Sequence, residues 1–216
     1  MFMFNKKDVV CHSWEFNERD CILALKCSEM QNWDIVVDSK AIPSEKYAGQ
    51  EFQHFFRQAT GILLPIHDTN EKSSSHVFIG ESVALTESGV TIGISELGEE
   101  GFHAVIRNDL LAIVGGRPRG TLYGVYQFFE DEFGVRFLTH GHTHVPDCSK
   151  TQIQCREYTY KPPFSFRWSF YTENSKYPEF AARLRVNTVS TDEKLGGKTA
   201  QNLINHSFHV LVPFSK

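Results

Sequence analysis

The stretch Gly115–Leu138, GGRPRGTLYGVYQFFEDEFGVRFL, constrains the fold more than any other part of the chain. An apolar run, Leu110–Val114, leads into it and is broken by Gly115 and Gly116. Pro118 follows where a first helical turn tolerates a residue without an N–H. Leu122, Val125, Tyr126, Phe129 and Phe133 then recur at helical spacing as one apolar stripe, with Glu130, Asp131 and Glu132 on its solvent side. Gly134 stands where a helix ends, and Val135–Leu138 resumes as a strand. Strand, glycine turn, amphipathic helix and strand compose one α/β unit, the expected centre of the first domain.

A second helix is predicted upstream. Ile42-Pro43-Ser44 opens it, Ala48, Phe52, Phe55, Phe56 and Ala59 share one face, and Gly61 stops it. Strands are predicted at Trp33–Asp38, Leu63–His67, His76–Gly80, Gly101–Ile106, Leu110–Val114 and Thr151–Tyr158, with a short one at Cys21–Leu25. Ser82–Gly98 predicts a loop with a short helix or strand. The break Arg107-Asn108-Asp109 predicts a hairpin, with Asn108-Asp109 able to take positive φ. The expected fold class is α/β (α+β-like): a two-layer mixed sheet with two long helices, each covering a sheet face with its single stripe. Lys161-Pro162-Pro163 reads as a linker, because consecutive prolines stiffen the chain and do not continue a central strand. Beyond it Phe164–Trp168 reads as a strand, Pro178–Arg185 as a helix and His209–Val212 as a strand.

Composition narrows the function classes. The chain has 216 residues, 41% hydrophobic with 18 Phe, which is ample for a core. A formal net charge of −4 gives no reason to expect nucleic acid or an anionic membrane surface as partner. No apolar run approaches the roughly 18 residues of a membrane span. The start, MFMFNKKDVV, lacks the apolar core of a secretory signal, and the compartment stays open. Five cysteines (Cys11, Cys21, Cys27, Cys148 and Cys155) at irregular spacing argue for reduced, mostly buried thiols.

The GRPRGTLYGVYQFFEDEFGVRFL stretch, with PSEKYAGQEFQHFFRQATGILLPI and PEFAARLRVN, resembles the N-terminal, non-catalytic domain of α-glucuronidase-like and β-hexosaminidase-like glycoside hydrolases. The similarity runs from about Trp33 to Lys216 and points to a bacterial group whose barrel has no assigned function. It implies an α/β accessory domain at 33–160, after an unassigned segment 1–32. At 161–216 it implies a linker and the first strands and helix of an incomplete (β/α) barrel. A complete barrel needs about 250 residues, so the run HVLVPF is expected to be an unpaired edge open to self-association. Relatives of this architecture are commonly exported.

The chemistry implied by the resemblance is glycosidic bond hydrolysis, which uses two carboxyl groups flanking the bond. Only Glu173 and Asp192 follow expected barrel strands, and both read as loop or rim residues; no catalytic residue is assigned. The expected substrate contacts are Arg167, Trp168, Tyr171, Glu173, Asn174, His206 and His209. Trp and Tyr faces stack on sugar rings, and Arg can clamp a uronate carboxylate. The simpler reading of Arg167 and Trp168 is that they fill the barrel floor or the interdomain seam. His206, in INHSFH, matches the family pattern at the end of the second barrel strand. The run His140, His142, His144, with Asp147 or Cys148 nearby, has the alternation of a zinc site. It is read as a solvated loop, and no metal or cofactor is expected. Gly-Gly-Arg-Pro-Arg-Gly lacks the lysine of a nucleotide loop, so Arg117 and Arg119 are expected in salt bridges or facing the next domain. Asn205-His206-Ser207 fits a glycosylation acceptor, expected to be unused.

The expected function is therefore the N-terminal part of a carbohydrate-active glycoside hydrolase, inert by itself, with an oligosaccharide or uronic-acid glycan as the parent's partner. The alternative is a stand-alone carbohydrate-binding or scaffolding protein.

Overall fold

A computed structural model describes residues 24–169 and 171–200. The predicted strand His209–Val212, the contacts His206 and His209, Cys11, Cys21 and the Asn205-His206-Ser207 sequon lie outside these residues. In chain order the elements are β1 (Ala24–Lys26), β2 (Asp34–Val36), α1 (Pro43–Thr60), β3 (Ile66–His67), β4 (His76–Ile79), α2 (Val83–Glu87), β5 (Phe102–Ile106), β6 (Leu110–Gly115), α3 (Gly120–Glu132), β7 (Arg136–Thr139), β8 (His142–His144), β9 (Gln152–Gln154), β10 (Arg156–Tyr160), α4 (Thr172–Lys176) and α5 (Pro178–Arg183).

The apolar, β-branched runs pair into one six-stranded mixed sheet of order β10-β5-β6-β4-β2-β3. Strands β3, β2, β4 and β6 are mutually parallel, with Ile35 opposite Val77 and Phe78 opposite Ala112. The hairpin β5–β6 and the edge strand β10 are antiparallel, with Ala104 opposite Ile113 and Tyr158 opposite Ala104. Two small ribbons, β1–β9 and β7–β8, lie outside this sheet.

Alternation along each strand splits the core in two. Ile35, Val77, Ile79, Ala104, Leu111 and Ile113 face α1 and α3. Between these helices Phe52, Phe55, Phe56, Phe128, Phe129 and Phe133 interlock, Phe52 and Phe129 with centroids 5.1 Å apart. Each such ring contributes about 1.5–3 kcal/mol by leaving water. Gly124 lets α3 sit down on the sheet, since a Cβ there would lie 2.8 Å from both Ile113 and Phe102. Both long helices therefore share one face of the sheet, the two-layer arrangement expected from the sequence. Val36, Phe78, Val105, Ala112 and Val114 face the other way, under the short α2 and the residues just after it.

Helix α1 begins with Pro43 at its first position and Glu45 accepting the Ile42 N–H at 3.0 Å, and it ends at Gly61 with φ 78°. The prediction for α3 needs one correction. Pro118 precedes the helix instead of entering its first turn, because Arg119 and Gly120 first donate their N–H groups to Glu99 O. Gly134 ends this stretch with φ 67° as expected. Asn108 and Asp109 do not take positive φ: among the described non-glycine residues Arg185 is the one that does. The predicted strand Leu63–His67 shortens to Ile66–His67, and Thr151–Tyr158 divides between β9 and β10, in two different sheets. Cys27, Cys148 and Cys155 are free thiols, the first two buried. No helix among the described residues is long and apolar enough to cross a membrane.

Past Lys161-Pro162-Pro163 the chain does not leave the domain. Phe180, Ala182 and Leu195 join the same core as α1 and α3. Phe164–Trp168 forms no strand ladder. Instead Arg167 N–H donates to Asn187 Oδ1 at 2.9 Å, and Asn187 N–H donates back to Arg167 O at 3.3 Å. Side-chain and single backbone bonds thus stand where a strand pair was expected. The predicted helix Pro178–Arg185 forms as α5, preceded by the unpredicted α4.

Candidate functional site

The densest polar structure of the molecule lies where residues 161–200 meet the sheet domain. Glu100, at the entry to β5, is buried, its side chain 5% exposed. Its Oε1 accepts Arg119 Nε at 2.8 Å and Asn187 Nδ2 at 2.6 Å, and its Oε2 accepts the Arg167 guanidinium. Arg119, 2% exposed, also pairs with Glu99 and donates to Gly196 O at 3.1 Å and Thr199 Oγ1 at 3.0 Å. A carboxylate buried among two guanidiniums and an amide has its lone pairs answered, which is the condition for keeping a charge out of water.

Two further carboxylates of the long helices repeat the pattern. Glu51 of α1 holds Arg183 of α5 in bidentate fashion at 3.0 and 3.1 Å. Arg183 also lies over the Phe55 ring, 5.2 Å from its centroid. Burial and the Glu51 carboxylate push the hydroxyls of Tyr47 and Tyr126 well above the usual tyrosine range. Glu130 of α3 pairs with Arg185. The Glu100–Arg167, Glu51–Arg183 and Glu130–Arg185 pairs each set an acid of the sheet domain against an arginine of the segment beyond residue 160. The acidic cluster of α3 is thus not simply its solvent side: Glu130 pairs across the seam, and the largely buried Glu132 carboxylate pairs with Arg156. Burial raises the Glu132 pKa above the ordinary carboxylate value.

The expected substrate contacts among the described residues differ in their surroundings. Arg167 sits in the seam, with Nε on Arg185 O at 2.8 Å, one terminal nitrogen on Phe164 O at 2.6 Å and the other on Glu100. Its guanidinium lies 5.8 Å from the Tyr123 ring centroid. Trp168 is half-buried beside it. Tyr171 is 78% exposed at the start of α4, while Asn174 is buried. Glu173 approaches His140 Nδ1 at 3.5 Å, and the His140 ring stacks on Tyr177 with centroids 3.6 Å apart. His142 and His144 stand exposed on β8, away from that stack in sequence, and no group of three metal-ligating side chains assembles among the described residues. Arg117 and Arg119 are salt-bridged as expected, Arg117 to Glu45. Sequence reasoning missed Glu51, Glu100, Glu130, Arg183 and Arg185.

Parallel strands with crossover helices, an antiparallel hairpin on one side and a segment locked onto the helical face together define a mixed α/β domain with both long helices on one sheet face. The chain belongs to the glycosyl hydrolase family 67 N-terminus family, whose model matches residues 21–128. Among solved structures it is similar to a family GH115 4-O-methyl-α-glucuronidase with specificity for decorated arabinogalactans, at a TM-score of 0.52 and 14% identity over 77% of this chain and 25% of that one. It is also similar to the GH20 β-N-acetylhexosaminidase of Streptomyces coelicolor A3(2), at 0.49 and 16% over 77% and 31%. The β-hexosaminidase of Streptomyces plicatus scores 0.49 and 15% over 77% and 30%. The chain thus spans less than a third of the length of these proteins. A search of curated proteins finds no match. The alternative of a stand-alone binding or scaffolding protein is not favoured by this family membership.

Proposed function

We propose that this chain is the N-terminal part of an α-glucuronidase-like glycoside hydrolase, in which residues 33–160 seat the opening elements of a catalytic (β/α) barrel at 161–216. The observation that carries this reading is the direction of the seam: Glu51, Glu100 and Glu130 receive Arg183, Arg167 and Arg185 in turn. Three such carboxylate–guanidinium pairs across the seam fix the register of one segment on the other. In this role Arg167 is a positioning residue, all its nitrogens being taken up within the protein. Trp168, Tyr171, Glu173 and Asn174 are the proposed carbohydrate rim, with His206 and His209 joining them. The terminal run HVLVPF is the proposed route to self-association, read out by light scattering.

The domain is not itself the catalyst in this reading. Hydrolysis needs two carboxyl groups free to meet the glycosidic bond, whereas every buried carboxylate among the described residues is held by another side chain: Asp34 is in hydrogen-bond contact with His76, and Glu45 is ion-paired to Arg117, Glu51 to Arg183 and Glu100 to Arg119 and Arg167. The test is turnover of aryl α-glucuronides and aryl β-hexosaminides by the purified 216-residue protein. No turnover is expected, and steady release of the aryl alcohol by this chain would overturn the assignment.

A further inference from the structure

The sheet has a second place of chemical interest, on the side away from the seam. Strand β2 continues into α1, on one face of the sheet, and then to β3 at the outer edge; β4 continues into α2, on the opposite face. The order therefore reverses between β2 and β4. At such a point the two crossovers diverge and leave a crevice at the carboxyl ends of the strands, where open α/β sheets take their ligands. A cavity of about 300 Å³ lies there, lined after β2 by Asp38, Lys40 and Ala41, after β4 by Glu81 and Val83, and after β6 by Arg117. That volume is at the small end of sites for small molecules, about 300–1,000 Å³.

The polar groups of this crevice are only partly used. Arg117, 45% exposed, gives Nε and one terminal nitrogen to the buried Glu45, which leaves Nη1 without a hydrogen-bond partner among the described residues. Asp38 accepts one bond, from Lys40 N–H at 2.8 Å. The Lys40 ammonium and the Glu81 carboxylate have no hydrogen-bond or ion-pair partner among the described residues. Glu45, Asp38 and Glu81 all bear electrostatically on Arg117. Three acids against Lys40 and Arg117 leave the crevice without a net positive charge, which disfavours phosphate or a carboxylate ligand. Val83, 69% exposed, and the buried Ala41 add an apolar wall.

The geometry points to a neutral saccharide unit as the ligand of this crevice. Asp38 and Glu81 accept from its hydroxyls, Lys40 and Arg117 donate to its oxygens, and its C–H face lies against Val83. The chemistry alone asks for a compact neutral polyol; the choice of a sugar rests on the carbohydrate reading above. In the parent enzyme this is a glycan-holding site distinct from the proposed rim at 168–174.

The test is a titration of the isotope-labelled 216-residue protein with neutral methyl xyloside, methyl galactoside and methyl glucoside, followed by amide shifts, with inorganic phosphate as the anionic counter-probe. Saturable shifts at residues 38–41, 81–86 and 117 are expected with at least one glycoside, at millimolar affinity. Glu81→Ala and Lys40→Ala, both exposed positions whose folding is checked by the same spectra, are each expected to weaken binding by about tenfold. Phe164→Ala is expected to leave it unchanged. The absence of saturable shifts with all three glycosides, tighter binding of phosphate than of any glycoside, or loss of binding in Phe164→Ala with retention in Glu81→Ala would overturn the site. None of these outcomes touches the turnover assay, so the two readings fail separately.

Discussion

At the scale of single residues the seam depends most on Glu100. Replacing it by Gln leaves Arg119 and Arg167 facing an uncharged amide inside the protein. Removing one partner of a buried pair costs about 3–5 kcal/mol, and Glu100→Gln is expected to lie in that range by denaturant unfolding. A loss under about 1 kcal/mol, the value of an exposed pair, would show the carboxylate to be dispensable. Alkaline pH probes other buried residues. Burial raises the Tyr158 hydroxyl to about 12 and the Cys27 thiol to about 12, and it raises Tyr47, Tyr123 and Tyr126 as well. Groups whose pKa is raised by folding hold their protons in the native state. Their contribution is complete below the ordinary tyrosine value of about 10 and is lost as pH rises through about 12. The tyrosinate absorbance of these four tyrosines is expected to lag until the circular dichroism collapses; their reversible ionisation near the ordinary value, with the fold intact, would refute this. Of the seam residues missed by the sequence reading, Glu51 did carry a local signal. Glu51 stands three residues after Ala48 and four before Phe55, on the apolar face of α1, a position a carboxylate keeps only with a partner. Its partner, Arg183, lies too far along the chain for any local pattern to reveal.

At the scale of elements, what the sequence disclosed depends on how local each signal is. Helix α1 was readable from Pro43, the phenylalanine face and Gly61, all within the element itself. The β5–β6 hairpin was readable from two apolar runs and a polar break. Phe164–Trp168 misled because strand propensity reports fit to a pleated, half-buried surface, and here Asn187 takes up the Arg167 backbone instead. Arg183 and Arg185 were invisible for a related reason, since nothing in PEFAARLRVN says which carboxylate each will meet. The contacts between elements supply their own tests. Gly124→Val is expected to prevent α3 from docking, because its Cβ alone would press on Ile113 and Phe102. Overpacking of this kind costs about 1–3 kcal/mol or more; unchanged thermal stability would mean that α3 stands off the sheet. For α5, Glu51→Leu or Arg183→Leu alone is expected to destabilise by about 3–5 kcal/mol, and the double replacement by far less, since apolar groups substitute well for a buried pair. Additive losses in the double-mutant cycle would show that the two residues do not act together.

At the scale of the whole molecule, the question is whether residues 161–200 are an appendage or part of the folded unit. A proline-stiffened linker at Lys161-Pro162-Pro163 argues for an appendage. Against it stand Phe180, Ala182 and Leu195 in the main core, the three cross-seam ion pairs and the Arg119 bonds to Gly196 and Thr199. Removing the segment would strand Glu51 and part of the Glu100 network, so the sheet domain has a direct energetic stake in keeping it docked. The two parts are therefore expected to unfold together, in a single denaturant transition reported identically by Trp33 in the sheet domain and Trp168 in the segment. Single-tryptophan variants separate the two signals, with Trp14 replaced in both. Arg183→Ala and Arg167→Ala combined are expected to split the transition, the Trp168 signal moving to lower denaturant while that of Trp33 shifts less. If the unsubstituted protein already unfolds in two steps, with the segment first, the seam is a loose contact and the accessory domain does not seat the barrel's opening elements.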